Sequence, residues 1–115
     1  MSLVKPEGPR KHWKTLTHAP AGAVPVDTVT VINTTRVCFA AADVAAGESG
    51  EFVYEATDVE VVKDATVAIV EGDKAYYHAG NDNFTNVLTA AVECGVFRES
   101  QLSADTVARV DFHAI

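Results

Sequence analysis

The chain of 115 residues carries nine Lys/Arg against sixteen Asp/Glu, a formal net charge of −7, with 48% hydrophobic residues and two cysteines. That length suits one domain. The acidity argues against nucleic acid as the main partner of the body, and no apolar run approaches the ~20 residues of a membrane-spanning helix.

Charge is divided sharply along the chain. Residues 1–18 hold Lys5, Arg10, Lys11 and Lys14 against Glu7 alone, a net of +3, whereas the rest of the chain nets −10. Pro6, Gly8 and Pro9 punctuate that first stretch, which shows neither helical nor strand periodicity. It reads as an extended basic N-terminal arm, residues 1–18, that orders on meeting a partner. A single β-domain, residues 19–115, follows. An indole gains nothing by exposure on a free arm, so Trp13 is expected to pack, either on its own β-body or on a partner surface. No apolar stretch of the secretory kind opens the chain, since Leu3-Val4 runs at once into Lys5-Pro6. Synthesis in a cytoplasm is therefore expected, with Cys38 and Cys94 reduced and acting as small core fillers.

From residue 19 onward the pattern is β. Pro20-Ala21-Gly22 is a turn, and Thr28-Val29-Thr30-Val31-Ile32 is β-branched throughout, the clearest strand signal in the chain. Asn33-Thr34-Thr35 turns into a second strand, Arg36 to Ala41, and Asp43 to Glu48 forms a loop. Glu51 to Ala56 alternates, placing Phe52, Tyr54 and Ala56 on one face, and Val59 to Val62 continues in the same mode. Lys63 to Val70 fits a strand or a short helix equally. Glu71-Gly72-Asp73 is a turn before the strand Lys74 to His78, and Ala79 to Asn83 is another turn. Phe84 to Leu88 and Ala90 to Phe97 read as strands, the latter with Gly95 at a bulge or close contact. In the closing strand, Thr106 to Phe112, the residues Ala108, Val110 and Phe112 face inward. Short strands at this spacing predict an all-β fold, a small antiparallel β-barrel or β-sandwich.

Motifs that carry chemistry are not found. His12, His18, His78 and His113 lack the spacing of a metal site, and Asn81-Asp82-Asn83 lacks the distal Glu of a calcium loop. Gly47-Glu48-Ser49-Gly50 is a turn rather than a nucleophile elbow or phosphate loop. No catalytic residue, metal or cofactor is therefore assigned. A spatially assembled site around His78, Asp82 and Cys94 is the enzymatic alternative.

The order of these turns carries a resemblance. Ala21-Gly22-Ala23-Val24-Pro25 precedes the strand Thr28 to Ile32. Ala42-Asp43-Val44-Ala45-Ala46-Gly47-Glu48-Ser49-Gly50, then Glu71-Gly72-Asp73-Lys74-Ala75-Tyr76-Tyr77, then Thr106 to Val110 follow it. Together, over about residues 20–112, they resemble a family of small phage and prophage proteins often labelled "predicted phage recombinase". Its members with an assigned role are capsid decoration, or cement, proteins. The resemblance implies a β-barrel-like or β-sandwich body on the outer surface of the virion, bound to the major capsid protein. It also implies a homo-oligomer, a trimer or alternatively a dimer; the lack of a long apolar run predicts no membrane partner. The residues expected to touch the capsid are those of the arm: Lys5, Arg10, Lys11, His12, Trp13 and Lys14. The rival readings are a nucleic-acid-handling protein, as the recombinase label suggests, and another virion part such as a fibre base.

Overall fold

Residues 3–113 are described by a computed structural model, and of Lys11 only the backbone. Nine strands are found among the described residues. They are β1 (Lys5–Pro6), β2 (Lys14–His18), β3 (Val29–Ile32), β4 (Arg36–Ala40), β5 (Gly50–Val62), β6 (Lys74–His78), β7 (Asn83–Thr85), β8 (Val92–Phe97) and β9 (Val107–Phe112). A single 3-10 turn, Arg10–His12, lies between β1 and β2. The strands pair antiparallel in the order β3-β4-β5-β9-β8-β6-β7, and the sheet curls into a half-barrel. The all-β barrel-like expectation is met.

β5 organises the rest, because at 13 residues it is long enough to serve both halves of the sheet. Its first half pairs with β4 through Phe39↔Val53, and its second half pairs with β9 from Val59↔Val110 to Val62↔Val107. Two register shifts bend it, one between Ala56 and Val59 against β9 and one opposite the Lys14/Thr15 step of β2. A bulge adds a residue and turns the following side chains over. Phe52 therefore lies in a small cluster with Val24, Cys38, Ala40 and Val44, while Val53, Ala56, Val59 and Val61 all face the main core. The alternation expected to put Ala56 on the face of Phe52 is broken by this local geometry.

The main core joins Phe39, Phe84, Phe97, Phe112 and Tyr77 with small aliphatic residues from every part of the sheet. The small cluster covers the opposite face of β4. Its lid is formed by the two Ala/Val-rich loops, where Val24 and Val44 exchange backbone hydrogen bonds at 2.8 and 2.9 Å. Ala108, Val110 and Phe112 are buried, as the alternation of β9 predicts. Lys63 to Val70 is neither strand nor helix. It is a loop pinned by two isolated bridges, Lys63↔Phe84 and Ile69↔Gln101.

The basic arm, expected to await a partner, lies along its own domain. β1 pairs with β5 through Lys5↔Glu60 and Pro6↔Val59, and β2 pairs with it from Lys14↔Glu55 to His18↔Gly50. β4 and β9 flank β5 in the strand order. Because Thr15 and Phe39 both pair with Val53, while Pro6 and Val110 both pair with Val59, the arm changes sides of β5 between β1 and β2. Gly8 permits the crossing: a Cβ there would lie 2.2 Å from the Thr57 carbonyl oxygen. A free β-edge is a better partner for an extended segment than water, and periodicity within the arm carries no record of that edge.

Candidate functional site

Each residue assigned to the arm has a definite place. Lys5 is exposed, with Nζ 3.7 Å from Glu7 Oε1, and stands opposite Glu60 in the sheet. Arg10 lies over the Trp13 ring, 4.8 Å from its centroid. His12 is exposed, and the side chain of Lys11 lies outside the described residues. Trp13 is half-buried against the main core, edge-on to Phe39 with ring centroids 5.5 Å apart. Lys14 reaches Glu55 at 3.4 Å. The arm thus sets Lys5 and Lys14 beside carboxylates of the same chain. Asp27 is one more: burial raises its pKa and the neighbouring Arg10 lowers it, the burial prevailing.

The side chains of the enzymatic alternative are engaged separately. Cys94 is buried with Sγ 3.4 Å from the Ala75 carbonyl, and burial first, then Glu93, pushes its thiol pKa up. Cys38 is similarly enclosed, and burial raises it to about 12 against a smaller opposing effect of Arg36. Neither thiol is a ready nucleophile at neutral pH. His78 Nδ1 accepts the Asn81 N–H at 3.0 Å, and the Tyr77 hydroxyl donates to Asp82. Two shallow clefts flank the sheet. One of about 160 Å³ is lined by Arg36, Tyr54, Glu93, Cys94 and His113, and a wider one by Val29, Val31, Tyr77 and Asp82. Among the described residues no group of three His, Cys, Asp or Glu could hold a metal ion.

A second surface went unread in the sequence. Two loops, 63–73 and 98–106, meet at the end of the half-barrel where β5 finishes and β9 begins, and Asn86 joins them before the chain crosses to start β8 beside Tyr77. They are tied to one another. Lys63, 2% exposed, donates from Nζ to the carbonyls of Asp64, Ser103 and Asp105 at 2.7, 3.1 and 3.2 Å. Ile69 and Gln101 exchange backbone hydrogen bonds at 2.9 and 3.0 Å. Asn86 Nδ2 donates to Ala68 O and to Asp73 Oδ2, and Asp73 also accepts the Val70 N–H. These donors hold the Asp73 carboxyl below its ordinary pKa, Val70 contributing most. Four of the exposed large hydrophobic side chains among the described residues sit here: Val62, Val70, Leu102 and Val107. The available signal was Leu102, an aliphatic residue in the stretch between the strands ending at Phe97 and beginning at Thr106, where polar residues are usual.

The geometry defines a class: an all-β half-barrel with its arm bonded along its longest strand, whose outward features are an acidic skin and an apolar end. Comparison with known families places it more closely. A model of the phage cement protein family matches residues 9–112, and the chain belongs to that family. Its role is structural, the decoration and stabilisation of a phage capsid, as the resemblance implied. Neither the curated proteins nor the solved structures yield a match.

Proposed function

We propose that this chain sits on the outside of an assembled phage head, on the major capsid protein, and fastens neighbouring shell subunits. The observation that carries this is the family match across 104 residues. A cement protein has to resist deformation. Here one long strand ties both halves of the sheet, and the arm is bonded along it. Synthesis in the bacterial cytoplasm and a homo-oligomer, a trimer or alternatively a dimer, belong to the same proposal. Copies clustered at symmetry axes gain avidity from modest individual contacts.

In this reading the arm stiffens the domain. Any contact that Lys5, Arg10, Lys11, His12, Trp13 and Lys14 make with the shell is an addition to the bonds described above. Heads assembled without the chain, from the phage or prophage that encodes it, supply the test. Added protein is expected to co-sediment with them, to appear as external density by electron microscopy and to raise their temperature of disruption. Failure to bind such heads would overturn the proposal.

A further inference from the structure

We infer that the tied apolar end, carrying Val62, Val70, Leu102 and Val107, is the surface that seats on the capsid shell. Its partner there is a patch of the capsid protein with an apolar centre and a lysine- or arginine-bearing rim. The inference rests on the decoration reading and adds the face and its chemistry.

Exposed aliphatic residues scattered singly carry no message, but a gathered set does. Four such residues among the described ones, Val62, Val70, Leu102 and Val107, fall on segments that hydrogen bonds join into one end. Leu102 and Val70 are the most open of these four, at 76% and 62% exposure. Ile69, paired with Gln101, turns inward and is 2% exposed. Side chains alternate along paired backbone, so the next residues, Val70 and Leu102, both face out. The loops carrying them are already fixed by Lys63, Asn86 and Asp73, so little conformational freedom remains to be lost on docking.

Charge selects the occupant. The segments 62–73 and 98–107 carry Asp64, Glu71, Asp73, Glu99 and Asp105. Lys63 is buried, and Arg98 is drawn to Asp111 at 2.8 Å and to Asp58 at 3.8 Å. The rim is therefore anionic. Two copies meeting through this same end would set carboxylates against carboxylates. Along the arm of a second copy, Glu7 and Glu60 lie beside Lys5, Asp27 beside Arg10 and Glu55 beside Lys14, which lowers its pull on this anionic end. The complementary surface has to come from another protein, and the family supplies the capsid.

The test compares wild type with Leu102→Asp, Val70→Asp and Ala46→Asp on heads assembled without the chain. All three positions are exposed, and equal unfolding midpoints will show that the variants fold. Ala46 lies in the loop leading to Gly50, at the opposite end of β5. Wild type and Ala46→Asp are expected to bind alike, with Leu102→Asp and Val70→Asp about tenfold weaker or worse. Glu71→Lys with Glu99→Lys is expected to weaken binding as well. Undiminished binding by folded Leu102→Asp and Val70→Asp would overturn the inference and leave the decoration reading intact. Absence of wild-type binding would overturn both. Light scattering provides a separate check. A fall in the mass of the free protein on Leu102→Asp would make this end an interface between copies, and would equally overturn the inference.

Discussion

Trp13 meets Phe39 edge to face, their ring centroids 5.5 Å apart and their planes at 90°. Phe39 stands the same way to Phe112 at 5.6 Å, Phe112 lies 5.7 Å from Phe84, and Phe84 lies 5.1 Å from Tyr77. A line of rings thus runs from the arm through the core to β6. The arm is part of the packing that makes the domain rigid.

It follows that Trp13→Ala should destabilise the protein by about 2–3 kcal/mol, at or below the low end for large aromatic truncation because the indole is half-exposed. Trp13 is the sole tryptophan, so its fluorescence reports arm docking directly. Urea unfolding should show one transition by tryptophan emission and by circular dichroism. A separate early transition in emission would mean that the arm leaves before the body unfolds.

Close backbone approaches give a second prediction. A Cβ on Gly95 would lie 1.9 Å from the Asp111 carbonyl oxygen, and one on Gly8 lies 2.2 Å from that of Thr57. Neither backbone can yield without parting strands. Gly95→Ala and Gly8→Ala should each cost about 2 kcal/mol or more. Gly22 has nothing within 4 Å of its Cβ position. Gly22→Ala should therefore stay within about 0.5 kcal/mol of wild type by denaturant midpoint.

Lys63 is buried and satisfied by three carbonyls rather than by a carboxylate. Lys63→Met keeps the stem and removes the donors, leaving those carbonyls without their partner. A loss of about 3 kcal/mol is expected. Hydrogen exchange should accelerate first in residues 101–106, which the ammonium holds against β5. An unchanged exchange pattern would show that the loop stands without it.

The carboxylates set the response to acid. Asp64 is held below its ordinary pKa chiefly by the Thr66 hydroxyl, and Asp73 chiefly by the Val70 N–H and then Asn86. A lowered folded pKa contributes stability above the unfolded value, which is lost as pH falls through the folded one. Asp27, raised by burial, works in the opposite sense, contributing at low pH and losing that contribution as pH rises. Two lowered groups against one raised predict falling stability below about pH 4. Asp73→Asn should shrink that fall in a pH series of thermal midpoints, and an unchanged slope would remove Asp73 from the account.

Much of the molecule was legible in the chain because strand formation leaves a local record. The β-branched run Thr28 to Ile32 and the alternation of Val107 to Phe112 each specify a half-buried strand without reference to anything distant. Gly95 announced a close contact in the same way. Cys38 and Cys94 read as core fillers because their neighbours are apolar, and both are free and buried.

What the sequence determined by itself was the class of the protein: an acidic all-β domain with no recognisable reaction motif, whose turn order marks a phage cement protein. Three things were decided only in three dimensions: the attachment of the basic arm to β5, the turning of Ala56 away from Phe52, and the gathering of exposed aliphatic residues at one tied end. Each depends on contacts between segments far apart in the chain. Periodicity records what a segment prefers for itself, whereas an open strand edge, a bulge across from a partner and a shared end exist only once the sheet has closed around them.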